Sequence, residues 1–207
     1  MTQIDYCNGT ELESHRVLAR CKDALSGWSV RSLTLRVRYS RGADFSGTCF
    51  YAGRRIFINV GRHLQYPYAM QTNLGRAKNH GRYWARPIYL VELESAYDLV
   101  LFIFLHELYH LLIRIARRNP RQKESMCDRF AARYLVDRFG SQVRTKEGAP
   151  VPREEWDFQD LDGFVARARR RPSQKQPTVM AGAKEVRAAF RPIVTPYGAR
   201  QLSLFGS

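Results

Sequence analysis

The apolar positions change period several times along the chain, and each change marks an element. Leu12, Leu18, Cys21 and Leu25 recur at roughly helical spacing behind a Thr10–Glu13 capping pair, and Gly27 offers a stop, so residues 11–26 are expected to be helical. "LTLRVRY" (33–39) alternates apolar and basic residues and predicts a half-exposed strand. "TCFYAGRRIFINV" (48–60) predicts two strands around a Gly-Arg turn, and "PIYLVEL" (87–93) predicts another. Residues 61–86 show no period. They are rich in Gly, Asn, Pro, basic and aromatic residues and read as a long excursion.

A greasier stretch follows. Ser95 and Asp98 form an S-x-x-D cap, and the helix they open should run to about Arg117. Its first half is apolar all round, which places it deep in the domain, and Arg114, Arg117 and Arg118 suit the negative end of its dipole. The uninterrupted apolar run, Leu99 to Leu105, is short for a bilayer and reads as a core helix. Asn119 and Pro120 predict the cap and first position of a second helix, ending at Phe139 with Gly140 as stop. After 140, Gly, Pro and charge increase. Residues 154–171 allow one more helix, with Arg167, Arg169, Arg170 and Arg171 at its end, and "PSQKQPT" (172–178) reads as a linker. The expected organisation is an α+β domain over 1–140, a C-terminal extension over 141–171 and a basic tail over 172–207. In that domain a small, mostly antiparallel sheet packs on the two helices.

Composition narrows the class. The chain has 207 residues, 44% hydrophobic, enough for one sizeable core. A net charge of +15 favours polyanionic partners, with DNA the first candidate. The four cysteines, Cys7, Cys21, Cys49 and Cys127, form no C-x-x-C pair and are too few for a disulfide scaffold. With a polar, acidic N-terminal segment unlike a signal peptide, they suggest free thiols and a cytoplasmic, nucleoid-associated protein without a membrane role.

Within "FLHELYHLL" (104–112) lie His106, Glu107 and His110. H-E-x-x-H on a helix puts both histidines on one face, one turn apart, where they can share a zinc ion. The intervening glutamate is then placed to take a proton from water as general base. Leaving three such groups unpaired in a buried helix would cost roughly 1–3 kcal/mol each, and a metal satisfies them together. No histidine follows His110, so a third ligand must come from elsewhere. Glu124 and Asp128 sit at i and i+4 on the stripe that should face the first helix. Distance from the intervening turn favours Glu124 as ligand and Asp128 as the acceptor that orients a histidine; the reverse assignment stays open.

This arrangement resembles the gluzincin metallopeptidases. More narrowly, "ESMCDRFAARYL" (124–135) is similar to a segment of the ImmA/IrrE group of bacterial and phage metallopeptidases, with Cys127 where that group usually has Ala. The resemblance covers about residues 99–139. It implies a zincin-like fold, Zn2+ as cofactor, and peptidase activity of the kind that cleaves repressor proteins. It also implies a substrate-binding sheet edge, for which Ile56–Val60 is the candidate, and a transition-state stabiliser. Tyr97, Tyr134, His63 and His80 are all candidates for the latter.

Near the end, Gln201, Leu202, Ser203, Leu204 and Phe205 resemble the bacterial sliding-clamp-binding motif. Metalloprotease, basic surface and clamp motif together are similar in plan to Spartan-type proteases, which digest proteins crosslinked to DNA. The leading expectation is therefore a zinc metallopeptidase acting on DNA-associated proteins. A repressor-cleaving regulator of a mobile element and a non-enzymatic nucleic-acid-binding protein with structural zinc are the alternatives.

Overall fold

A computed structural model of the chain describes residues 2–166. The tail, its clamp-like peptide Gln201–Phe205 and the arginine cluster from Arg167 lie outside the described residues. The fold is α+β. Its main sheet has four strands: β1 (Gln3–Gly9), β2 (Ser32–Tyr39), β3 (Phe45–Phe50) and β4 (Arg55–Val60). Their spatial order is β1-β2-β4-β3. The connection from β1 to β2 passes through α1 (Ser14–Leu25), and β1–β2 and β2–β4 pair in parallel; only β3 runs antiparallel to its neighbour β4. The sheet on the helices is thus mixed, with two of its three pairings parallel, where an antiparallel one was expected. A second sheet, β5 (Tyr68–Thr72), β8 (Tyr89–Leu93) and β9 (Val143–Arg144), is antiparallel, and β6 (Lys78–Asn79) and β7 (Trp84–Ala85) form a separate hairpin.

Alternation explains which face of the main sheet is buried. Leu33, Leu35 and Val37 of β2 and Ile56, Ile58 and Val60 of β4 are buried, while Arg36 and Arg38 stay exposed. That face is covered by α2 (Ala96–Ile115), in which every residue from Asp98 to Ile113 is buried. Each fully buried Leu, Ile or Phe there contributes about 1.5–3 kcal/mol. The helix is long and apolar enough to cross a membrane by composition, longer than the seven-residue run suggests, but most of it is buried within the fold. The expected cap is present: Asp98 N–H donates to Ser95 Oγ, whose hydroxyl donates to Asp98 Oδ2 at 2.8 Å. Arg20 of α1 donates to the other oxygen of Asp98, tying the two helices together.

α3 (Glu124–Phe139) packs against α2 through Phe130, whose ring stacks on Tyr109 with centroids 4.7 Å apart. It begins four residues later than the Asn119–Pro120 signal implies. Asn119 Oδ1 instead accepts from Arg121 N–H in a turn, and Gln122 takes a left-handed φ of 57° before the helix can start. The C-terminal stop is as expected, with Gly140 at φ 70°. Residues after 140 belong to the same core. Trp156 and Leu161 are buried, and Tyr109 Oη donates to the Leu161 carbonyl at 2.8 Å. The expected single helix over 154–171 is, within the described residues, two short ones, α4 (Arg153–Trp156) and α5 (Leu161–Ala166).

One expectation about the sheet is overturned. Ile56–Val60 is not an edge: β4 lies between β2 and β3, its pairing used on both sides. The edge beside α2 is β3.

Candidate metal centre

The burial of α2 is what makes its polar residues informative. His106, Glu107 and His110 are 3%, 2% and 3% exposed, so their polar atoms must find partners inside the protein. The partners come from α3. Asp128 Oδ1 lies 2.8 Å from His106 Nδ1, and Glu124 Oε2 lies 3.2 Å from His106 Nε2. The other oxygen of Glu124 is 3.4 Å from His110 Nε2. One carboxylate therefore spans both imidazoles, and a second, fully buried, holds the far nitrogen of His106. Asp128 is itself fixed by the loop after β5: its Oδ2 accepts from Asn73 N–H at 2.8 Å and from the Asn73 side-chain amide at 3.3 Å. His110 Nδ1 is buried with no hydrogen-bond partner among the described residues.

Cys127 completes the cluster. Its thiol and the two imidazoles offer ligand atoms that all lie within 4.8 Å of one another, so this buried group could hold a metal ion. The sequence alone marked Cys127 only as a small residue replacing another. Its helical position between Glu124 and Asp128 was the signal that its side chain would meet the same site.

Glu107 faces the other way, toward β3. Its carboxylate accepts a hydrogen bond from Cys49 N–H. A Cβ on Gly47 would stand 2.5 Å from Glu107 Oε1, so glycine is what lets the strand approach this closely. Between strand and helix lies a narrow crevice of ≈ 10 Å³, about the space of one water, lined by Phe45, Gly47, Phe102, Ile103, His106 and Glu107.

Electrostatics follows the geometry. Burial pushes the Glu107 carboxyl up, and the neighbouring His106 and His110 only partly reverse this. For Glu124, burial is outweighed by its hydrogen bond with His106 and the close approach of His110, which hold the carboxyl well below its usual range. Burial would lower His106, but Asp128 and Glu124 push its imidazole up to about 10. In the metal-free chain a proton on His106 thus neutralises carboxylates that a cation would otherwise meet.

Of the four residues considered as transition-state stabilisers, none is hydrogen-bonded into this cluster. Tyr97 Oη accepts from Glu13 N–H, and Tyr134 Oη donates to Asp23. His63 is exposed, and the exposed His80 stacks on Tyr83. The residue that sequence reasoning missed is Tyr51, just beyond β3. Burial, then Cys49, Glu107, Cys127 and Glu124, push its phenol upward, so this half-buried residue shares the electrostatics of the centre. Asn73 was missed as well, since nothing local links it to Asp128, 55 residues away.

No protein-family model matches this chain, and neither a curated protein nor a solved structure matches it.

Proposed function

We propose that the protein is a zinc-dependent metallopeptidase with a zincin-like arrangement of edge strand, H-E-x-x-H helix and following helix. The observation that carries this reading is the placement of Glu107. A structural metal site has no use for a buried carboxylate beside its first ligand, yet Glu107 is held by Cys49 N–H at the wall of a narrow crevice on the edge-strand side.

In this reading His106, His110 and Glu124 hold the zinc. The donor set suits it: two imidazoles, a carboxylate spanning them, and a histidine whose second nitrogen is fixed by Asp128. Three protein ligands leave a position open, as catalysis requires, and Cys127 remains a buried thiol. Bound zinc supplies Lewis acidity toward a peptide carbonyl and toward water. The peptide lies along β3 as an added strand, so the substrate edge is Phe45–Phe50. Glu107 takes the proton from the attacking water and returns it to the leaving amine. Tyr51 donates its hydroxyl hydrogen to the oxyanion that forms. Asp128 keeps His106 Nδ1 as the donor and so directs Nε2 to the centre.

The substrates we propose are DNA-associated proteins, on the strength of the +15 charge and the clamp-like peptide Gln201–Phe205. Deleting residues 201–207 should abolish binding to a bacterial sliding clamp while leaving peptide cleavage intact. The decisive experiment on the enzyme itself measures zinc content and casein cleavage in wild type and Glu107→Gln. Stoichiometric zinc in both, with cleavage in the wild type alone, is the expected result; a wild type without stoichiometric metal overturns it.

A second reading has one observation in its favour. If Cys127 joins His106, His110 and Glu124, four protein ligands close the site and the metal is structural. Cobalt substitution separates the two, because a thiolate ligand gives an intense near-ultraviolet charge-transfer band. The peptidase reading expects that band to be absent and Cys127→Ala to keep metal and activity.

A further inference from the structure

The β6–β7 hairpin is exposed in a way the metal centre does not explain. Tyr83 and Trp84 are 62% and 70% exposed, the highest values among the large hydrophobic side chains described. Soluble surfaces tolerate single exposed apolar residues, but two consecutive exposed aromatic residues on one short hairpin are a candidate contact surface. Backbone pairing and a ring stack hold the hairpin together. Lys78 pairs with Ala85 and Asn79 with Trp84; His80 N–H donates to the Tyr83 carbonyl at 2.9 Å, and the two rings stack at 5.2 Å.

Its charge is one-sided. Between Asp44 and Glu92 the sequence contains no acidic residue and seven Lys or Arg. Lys78 and Arg82, on the hairpin itself, are both exposed. Flat rings beside cations, with no carboxylate in the segment, form the combination that binds single-stranded nucleic acid without sequence preference: bases stack and phosphates are neutralised.

The root of the hairpin ties it to the centre. Arg86 donates to the Gly75 carbonyl at 2.9 Å and to the Asn73 carbonyl at 3.3 Å, closing the stem. Asn73 in turn holds Asp128, and the buried Arg129 of α3 donates to the Leu74 and Gly75 carbonyls. A strand of nucleic acid on this hairpin would therefore be linked to His106 through the hydrogen bonds of Arg86, Asn73 and Asp128.

We propose that the β6–β7 hairpin binds single-stranded nucleic acid, with bases stacked on Trp84 and Tyr83 and phosphates neutralised by Lys78 and Arg82. This is independent of whether the metal centre is catalytic. The test uses the full chain and a fluorescein-labelled oligo-dT, read by anisotropy. A Tyr83→Ala/Trp84→Ala double variant should bind roughly tenfold more weakly or worse, with an unchanged circular dichroism spectrum. Lys78→Glu/Arg82→Glu should flatten the dependence of log affinity on log salt concentration. Because the basic tail can also hold DNA, a second readout is needed that the tail cannot supply. Oligo-dT should quench tryptophan fluorescence in the wild type, and Trp84→Phe should lose that quenching. If the double variant binds like wild type, or if quenching survives Trp84→Phe, the hairpin is not the site. Glu107→Gln should bind oligo-dT normally, so failure of the peptidase reading leaves this one standing, and the reverse.

Discussion

Asp128 is the residue on which the others depend. It is fully buried and accepts from Asn73 while lying 2.8 Å from His106 Nδ1, so it fixes which nitrogen of His106 is left to face the centre. Asp128→Ala should lower zinc affinity about 10–100-fold while the fold persists, as competition with a fluorescent chelator would show. Glu107→Gln should do the opposite: metal retained, cleavage reduced about 10²–10⁴-fold. Tyr51→Phe should lower kcat by about 10²-fold with KM little changed, since the hydroxyl is needed only when charge develops on the carbonyl oxygen. pH adds a check on the metal-free protein. The folded state holds His106 protonated up to about 10, against an ordinary value near 6.5. The resulting stability is fully present below that ordinary value and is lost as pH rises through the folded one. Chelated protein should therefore lose melting temperature between those limits more steeply than Asp128→Ala, which lacks one of the carboxylates responsible. At this scale the sequence was legible wherever helical spacing does the placing: His106, His110, Glu124 and Asp128 all meet. It was silent on Asn73 and Tyr51, because their positions depend on how a loop and a strand end fold back onto the helices.

Elements sharpen the picture differently. Alternation made β2 and β4 readable, an unbroken apolar run made α2 readable, and the S-x-x-D cap of α2 stands as written in the sequence. β1 and β5 left weaker traces. β1 buries neither face well, alternating only between exposed and half-buried positions, so its residues look like a polar terminus. β5 is five residues long inside a stretch crowded with turn formers. The order of strands was not legible at all. Alternation says which residues face the core but not which strand lies at the edge, and that is why the edge moved from β4 to β3. Gly47 is the signature of that edge in hindsight. An alanine there would meet Glu107 Oε1 at 2.5 Å and Ile103 Cγ2 at 2.7 Å. Gly47→Ala should destabilise the domain by about 1–3 kcal/mol through overpacking. It should also reduce cleavage more than this loss of stability explains, because the side chain displaced is Glu107, while zinc content stays at wild-type level.

Across the whole molecule, the centre works as a clasp between two helices and a loop. α2 supplies both histidines, α3 supplies Glu124 and Asp128, and Asn73 binds the loop after β5 to the pair. Without a cation, Glu124 faces both His106 and His110, Asp128 faces His106, and His110 Nδ1 has no hydrogen-bond partner among the described residues. A metal that binds only this assembled arrangement must stabilise it by mass action, about 4 kcal/mol at a thousandfold excess over the dissociation constant. For a chain of this size that is a rise in melting temperature on the order of 10 °C. Differential scanning calorimetry of zinc-loaded and chelated protein should show that gap. It should persist in Glu107→Gln and collapse in Glu124→Ala, because in the proposed reading one residue uses the metal and the other holds it. A gap that survives Glu124→Ala but vanishes in Cys127→Ala would transfer the third ligand from carboxylate to thiol. Equal melting temperatures with and without zinc would mean that the buried histidines are satisfied by their carboxylates alone, and the clasp would then be an ion-paired core with no metal to use.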